Sequence, residues 1–153
     1  MNGRPIPLKP SHRLSAALAL PLTAVLLSGC GLFGPETFEA DERAIEVDAG
    51  DTFELVLPAN PSMGQDWSIV RPGPDRATVR QEGDREEDFA GDSGLDGGGD
   101  GTQTFTFEAV AAGTTKIRMS YCVLGVCPDG DDRTATGDPG NDPAYFIYTV
   151  TVR

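Results

Sequence analysis

From Glu42 onward no stretch of the chain spaces its apolar residues three or four apart, as an amphipathic helix requires. Instead, apolar and polar residues alternate in short runs closed off by Gly, Pro, Asn and Asp. A period of two puts every second side chain on one face of a strand, so such runs bury one face against a second sheet and leave the other in water. Thr52–Leu57 sets Phe53, Leu55 and Leu57 opposite Glu54, and Asp66–Val70 carries Trp67 and Ile69. Thr102–Val110 sets Phe105 and Phe107 against Thr104, Thr106 and Glu108, while Thr114–Tyr121 points Ile117, Met119 and Tyr121 inward and Lys116, Arg118 and Ser120 outward. With Ala44–Asp48, an edge strand at Ala77–Arg80 and a closing strand at Ala144–Val152, the count is about seven, the pattern of an all-β, Ig-like antiparallel β-sandwich. Gln81–Gly101 and Pro128–Pro143, rich in Asp, Gly and Glu, are expected to be long loops.

The N-terminus obeys a different pattern. Arg4, Lys9 and Arg13 precede an apolar run from Leu14 to Leu27, which is short for a membrane span and right for a secretory signal. The run ends in Leu27-Ser28-Gly29-Cys30, which resembles the lipobox of bacterial lipoproteins. That resemblance implies a signal peptide over 1–29, cleavage before Cys30, and acylation of Cys30, palmitate included. Residues 30–41 then form the lipidated cysteine and its tether, and 42–153 the folded domain. The expected location is the extracytoplasmic face of the cell membrane, with the lipid bilayer as a partner through the acyl chains.

Processing at that point removes three cations and no acid, leaving nine Lys and Arg against 24 Asp and Glu, a formal charge of −15. Phosphate backbones repel such a surface, so no nucleic-acid partner is expected. His12, the only histidine, leaves with the leader, which excludes Ser-His-Asp and Cys-His catalysis and histidine-containing zinc sites. The Asp-rich stretches Asp92–Asp100 and Asp129–Asp132 lack the EF-hand register and the RTX repeat, so they read as solvated acidic loops, without metal or other cofactor. Nothing places two carboxylates in a cleft for glycosidase chemistry. The expectation is a monomeric non-enzyme.

Cys122 and Cys127 enclose four residues. In an oxidising compartment so close a pair reads as a disulfide. It either staples a long hairpin or stiffens the apolar tip Val123-Leu124-Gly125-Val126 for insertion into a partner.

Three segments together resemble the chagasin family, Ig-like inhibitors of papain-type cysteine proteases. Leu57-Pro58-Ala59-Asn60-Pro61-Ser62-Met63-Gly64-Gln65-Asp66-Trp67 is similar to that family's Asn-Pro-Thr-Thr-Gly-aromatic loop and following tryptophan. Gly97-Gly98-Gly99-Asp100-Gly101, leading to Phe105, is similar to its glycine-rich loop. Ala111-Ala112-Gly113-Thr114 running to Met119-Ser120-Tyr121 resembles the turn and strand before its third loop. Three positions depart from the pattern: Met63 replaces the second Thr, Gln65 the aromatic, and Cys122–Pro128 an Arg-Pro-Trp-like tripeptide.

The resemblance implies a protease inhibitor that inserts three loops into the active-site cleft of a papain-type cysteine peptidase. The expected contacts are Asn60, Pro61, Ser62, Met63 and Gly64, then Gly98, Gly99 and Gly101, then Val123, Leu124, Gly125 and Val126. Independently of it, Pro61 fixes φ and Gly64 admits a positive φ, so Asn60–Gln65 is predicted to be a stiff turn. Such a turn also serves as a plain link between strands. The alternative function is therefore a non-inhibitory Ig-like lipoprotein module that mediates protein–protein interaction at the cell envelope.

Overall fold

The computed structural model describes residues 34–89, 101–129 and 134–153. Their strands are β1 (Glu36–Phe38), β2 (Ala44–Val47), β3 (Thr52–Ala59), β4 (Asp66–Ile69), β5 (Val79–Phe89), β6 (Gly101–Ala109), β7 (Gly113–Cys122) and β8 (Ala144–Val152), with a 3-10 turn at Pro61–Met63. Two four-stranded sheets, ordered β1-β3-β6-β5 and β2-β8-β7-β4, face each other as a sandwich. The expected Ig-like all-β fold is therefore present.

The alternation read from the sequence fills the space between the sheets. Phe53, Leu55 and Leu57 from β3, Phe107 from β6, Ile117 and Met119 from β7, and Phe146, Tyr148 and Val150 from β8 are fully buried. Each such side chain contributes roughly 1.5–3 kcal/mol by leaving water. Phe53 stacks on Phe107 with centroids 5.3 Å apart, and Trp67 lies between Tyr121 at 4.6 Å and Phe146 at 4.7 Å. Trp67 is thus a core residue.

Three features differ from the expectation. The sheets are mixed rather than antiparallel, because β1 runs parallel to β3 and β2 parallel to β8. These short strands are two arms of one N-terminal ribbon, turned at Glu39–Glu42, that join different sheets. Second, residues 36–38, assigned above to a tether, belong to the sandwich: Phe38 and Ala40 are buried, and the Tyr148 hydroxyl donates to the Ala40 carbonyl at 3.1 Å. Third, Gln81–Phe89, expected as loop, extends β5 to 11 residues along the free edge of its sheet. Arg80, Glu82 and Glu108 pair across this edge. A charged edge strand keeps its unpaired backbone from pairing with another chain.

The strand directions sort the connections. Ala59 pairs with Gly101, Phe89 with Gly101, Asp66 with Cys122, and Tyr121 with Ala144. The connections β3–β4, β5–β6 and β7–β8 therefore all leave from one end of the sandwich. Glu36, opposite Phe53 at the start of β3, lies at the other end.

Candidate functional loop cluster

The β3–β4 turn is built from its own side chains. Asn60 is extended (φ −130°, ψ 93°), and its Oδ1 accepts from the Met63 N–H at 3.2 Å and the Ser62 hydroxyl at 2.5 Å. Its carbonyl accepts from the N–H groups of Met63 and Gln65, both at 3.0 Å, and the Gly64 N–H donates to the Pro61 carbonyl at 2.9 Å. Asn caps the turn because its short amide reaches back to the orphan N–H groups. Pro61 stands where a helical turn needs no N–H. Beneath the turn the Trp67 indole N–H donates to the Pro58 carbonyl at 2.8 Å, closing its two limbs. The stiff turn predicted for Asn60–Gln65 is found.

The second element is the tip of the β7–β8 connection. Val123 and Val126 exchange two backbone hydrogen bonds, 2.8 and 2.9 Å, around Leu124 (φ 52°) and Gly125 (φ 73°). Two successive positive φ values define a two-residue hairpin of the type that prefers Asn, Asp or Gly. Cys122 and Cys127 are bonded as a disulfide across its base, and the Tyr145 hydroxyl donates to the Pro128 carbonyl at 3.2 Å just beyond it.

The two elements touch. The Leu124 N–H donates to the Met63 carbonyl at 3.1 Å and the Gly125 N–H to the Gly64 carbonyl at 3.3 Å. Gly64 needs its glycine twice over: its φ is 64°, and a Cβ there would lie 2.8 Å from the Gly125 nitrogen. Four large apolar side chains are exposed among the described residues, and three of them, Met63, Leu124 and Val126, stand together here.

Of the expected contact residues, the structure brings together Asn60–Gly64, Leu124, Gly125 and Val126. Gly101 opens β6 beside Ala59 at the same end. Val123 is a correction: it is 7% exposed and packs into the core, because the buried run of Tyr121 and Cys122 continues into the base of the hairpin and, of the four tip residues, only Leu124, Gly125 and Val126 reach water. Gly98 and Gly99 lie outside the described residues, as does Cys30. Among the described residues no group of three or more His, Cys, Asp or Glu side chains is placed to hold a metal.

A polar cluster under the loops was not anticipated. Gln103 is buried on the inner face of β6, and Arg85 of β5 pairs with Asp66 at 2.9 Å and Glu87 at 3.0 Å. Gln103 shares the phase of Phe105 and Phe107, and a polar residue in an inward register is the signal that points to it.

The family model described as Chagasin family peptidase inhibitor I42 matches residues 46–136. No curated protein sequence matches the chain. Among solved structures, the cysteine protease inhibitor EhICP2 from Entamoeba histolytica is similar with a TM-score of 0.53 and 19% identity, over 78% of this chain and 96% of that one. Amebosin is similar with a TM-score of 0.52 and 18% identity, over 78% of this chain and all of its own. Both likenesses are of fold.

Proposed function

The chain belongs to the chagasin family of peptidase inhibitors, and from that premise we propose that it blocks papain-type cysteine peptidases by inserting its loop cluster into the active-site cleft. The observation that carries this reading is the exposure of Met63, Leu124 and Val126 on two loops whose backbones are hydrogen-bonded to each other. Leu124 is 72% exposed in a left-handed conformation that Asn or Gly adopts more cheaply. A strained apolar side chain held out in water is explained by a partner that desolvates it. Hydrogen bonds within and between the loops, with the disulfide, cut the ordering cost of binding. The Arg-Pro-Trp-like contacts of the family have no counterpart, and the Cys122–Cys127 hairpin takes their place.

The test is inhibition kinetics of the full-length chain, in detergent, against a panel of papain-type peptidases. Tight, active-site-directed inhibition is expected, and Leu124→Asp raises the inhibition constant at least tenfold, about 1.4 kcal/mol. A wild-type chain that inhibits no panel member at micromolar concentration fits the interaction module instead.

We also propose that Cys30 is the acylated first residue of the mature protein and holds it on the extracytoplasmic face of the membrane. Intact mass of membrane-extracted protein checks this. The expected species starts at Cys30 and carries acyl chains, and an unmodified Cys30 in soluble protein would refute the anchor.

A further inference from the structure

We propose that Arg85 and Gln103 form a clamp that positions the inhibitory loops, a role that rests on the inhibitory reading above. Among the described residues β4 is an edge strand, with β7 on one side and no strand on the other. At Trp67 that free side is occupied by side chains of the opposite sheet. Gln103 Oε1 accepts from the Trp67 N–H at 2.8 Å, and Arg85 Nη1 donates to the Trp67 carbonyl at 2.7 Å. Between them they supply what a neighbouring strand would supply, one acceptor and one donor.

The remaining polar atoms of the pair are used as well. Gln103 Nε2 donates to Asp66 Oδ1 at 3.0 Å and to Glu87 Oε1 at 3.2 Å. Arg85 Nη2 reaches Asp66 Oδ1 at 2.9 Å, and its Nε donates to Glu87 Oε1 at 3.1 Å. A buried amide with every atom bonded avoids the desolvation cost that makes such groups rare inside proteins.

The position of the clamp gives it its role. Asp66 and Trp67 directly follow the Asn60–Gln65 turn, whereas Arg85, Glu87 and Gln103 lie on the two strands flanking the β5–β6 connection. The clamp therefore fixes the spacing of two loop bases that belong to different sheets. Gln103, 1% exposed, acts through the strands it joins and not by surface contact.

Arg85→Met is the main variant, because its side chain is one-third exposed and leaves no core cavity when shortened. Gln103→Met, at a buried position, is the second. Arg85→Met is expected to shorten the residence time of the peptidase complex about tenfold and to change the association rate less than twofold. Arg85→Lys, which keeps the charge and a donor, falls between it and the wild type. Amide exchange at Trp67 accelerates in Gln103→Met, and exchange at Met63 and Gly64 accelerates in both Met variants. A lowered melting temperature with unchanged residence time and unchanged Met63 and Gly64 exchange would overturn the positioning role. If the wild-type chain inhibits no panel peptidase, the inhibitory reading fails on its own, and the Met63 and Gly64 amides still decide whether the clamp holds the turn.

Discussion

On the proposed reading, Leu124 trades stability for contact. A left-handed conformation costs a residue with a Cβ about 1–2 kcal/mol, and nothing in the core repays it, because the side chain stands in water. Leu124→Asn keeps the turn and suits the conformation. It is expected to stabilise the protein by about 1 kcal/mol, a rise of a few degrees in melting temperature, while weakening inhibition about tenfold. Thermal melts and inhibition constants on the same two proteins check both signs. The neighbouring Val123 marks where residue-level reading stops. Four apolar or small residues between two cysteines identify an apolar tip, but which of them turns inward depends on the hairpin register. It depends as well on how the hairpin docks on Met63 and Gly64, some 60 positions earlier in the chain.

At the scale of elements, legibility follows burial. β8 spans the nine residues its Tyr/Phe/Ile/Val/Thr run predicts, because its alternate positions face the core. β5 was invisible beyond Arg80: of its 11 residues only Val79 is buried among those whose side chains are described, and charge occupies both faces. β1 is three residues with a single inward Phe38, too short for any period to register. Gln103 breaks the apolar phase of β6 at the place where the structure needs a hydrogen-bonding partner for Trp67 rather than another methyl group. The Cys122–Cys127 hairpin is the element whose role is easiest to isolate. Reduction is expected to cost about 2 kcal/mol, leave both sheets intact and weaken inhibition disproportionately, since the strained turn then loses its brace. Far-UV circular dichroism, melting temperature and inhibition constant, each with and without reductant, separate these effects.

For the molecule as a whole, the loop end and the core draw on different chemistry. The core holds a titratable group: burial pushes the Tyr148 phenol up to about 12, opposed by Arg43, whose guanidinium lies over the ring at 5.1 Å, and reinforced by Asp41. Tyr148 is neutral when protonated, so its raised value stabilises the fold fully below the unfolded phenol's pKa near ~10. That contribution disappears as pH rises towards about 12, the folded value. Stability is therefore expected to fall steeply over this interval, and denaturant midpoints measured along an alkaline pH series check it. Below the folded value of about 12, tyrosinate absorbance from Tyr148 should appear only with unfolding.

Exposed loop tips are the usual places for a chain to be nicked, and in the proposed complex the hairpin at Val123–Val126 is offered to a peptidase. Its two positive φ values hold the backbone in a turned path, far from the extended course of a strand. Should the Leu124–Gly125 bond nevertheless be cut, neither new end is released. One stays attached through Cys122, the other through Cys127, and each remains beside the Met63 and Gly64 carbonyls that held it before. The broken ends stay at high local concentration, so resealing competes with loss, and the nicked protein keeps its shape in the cleft.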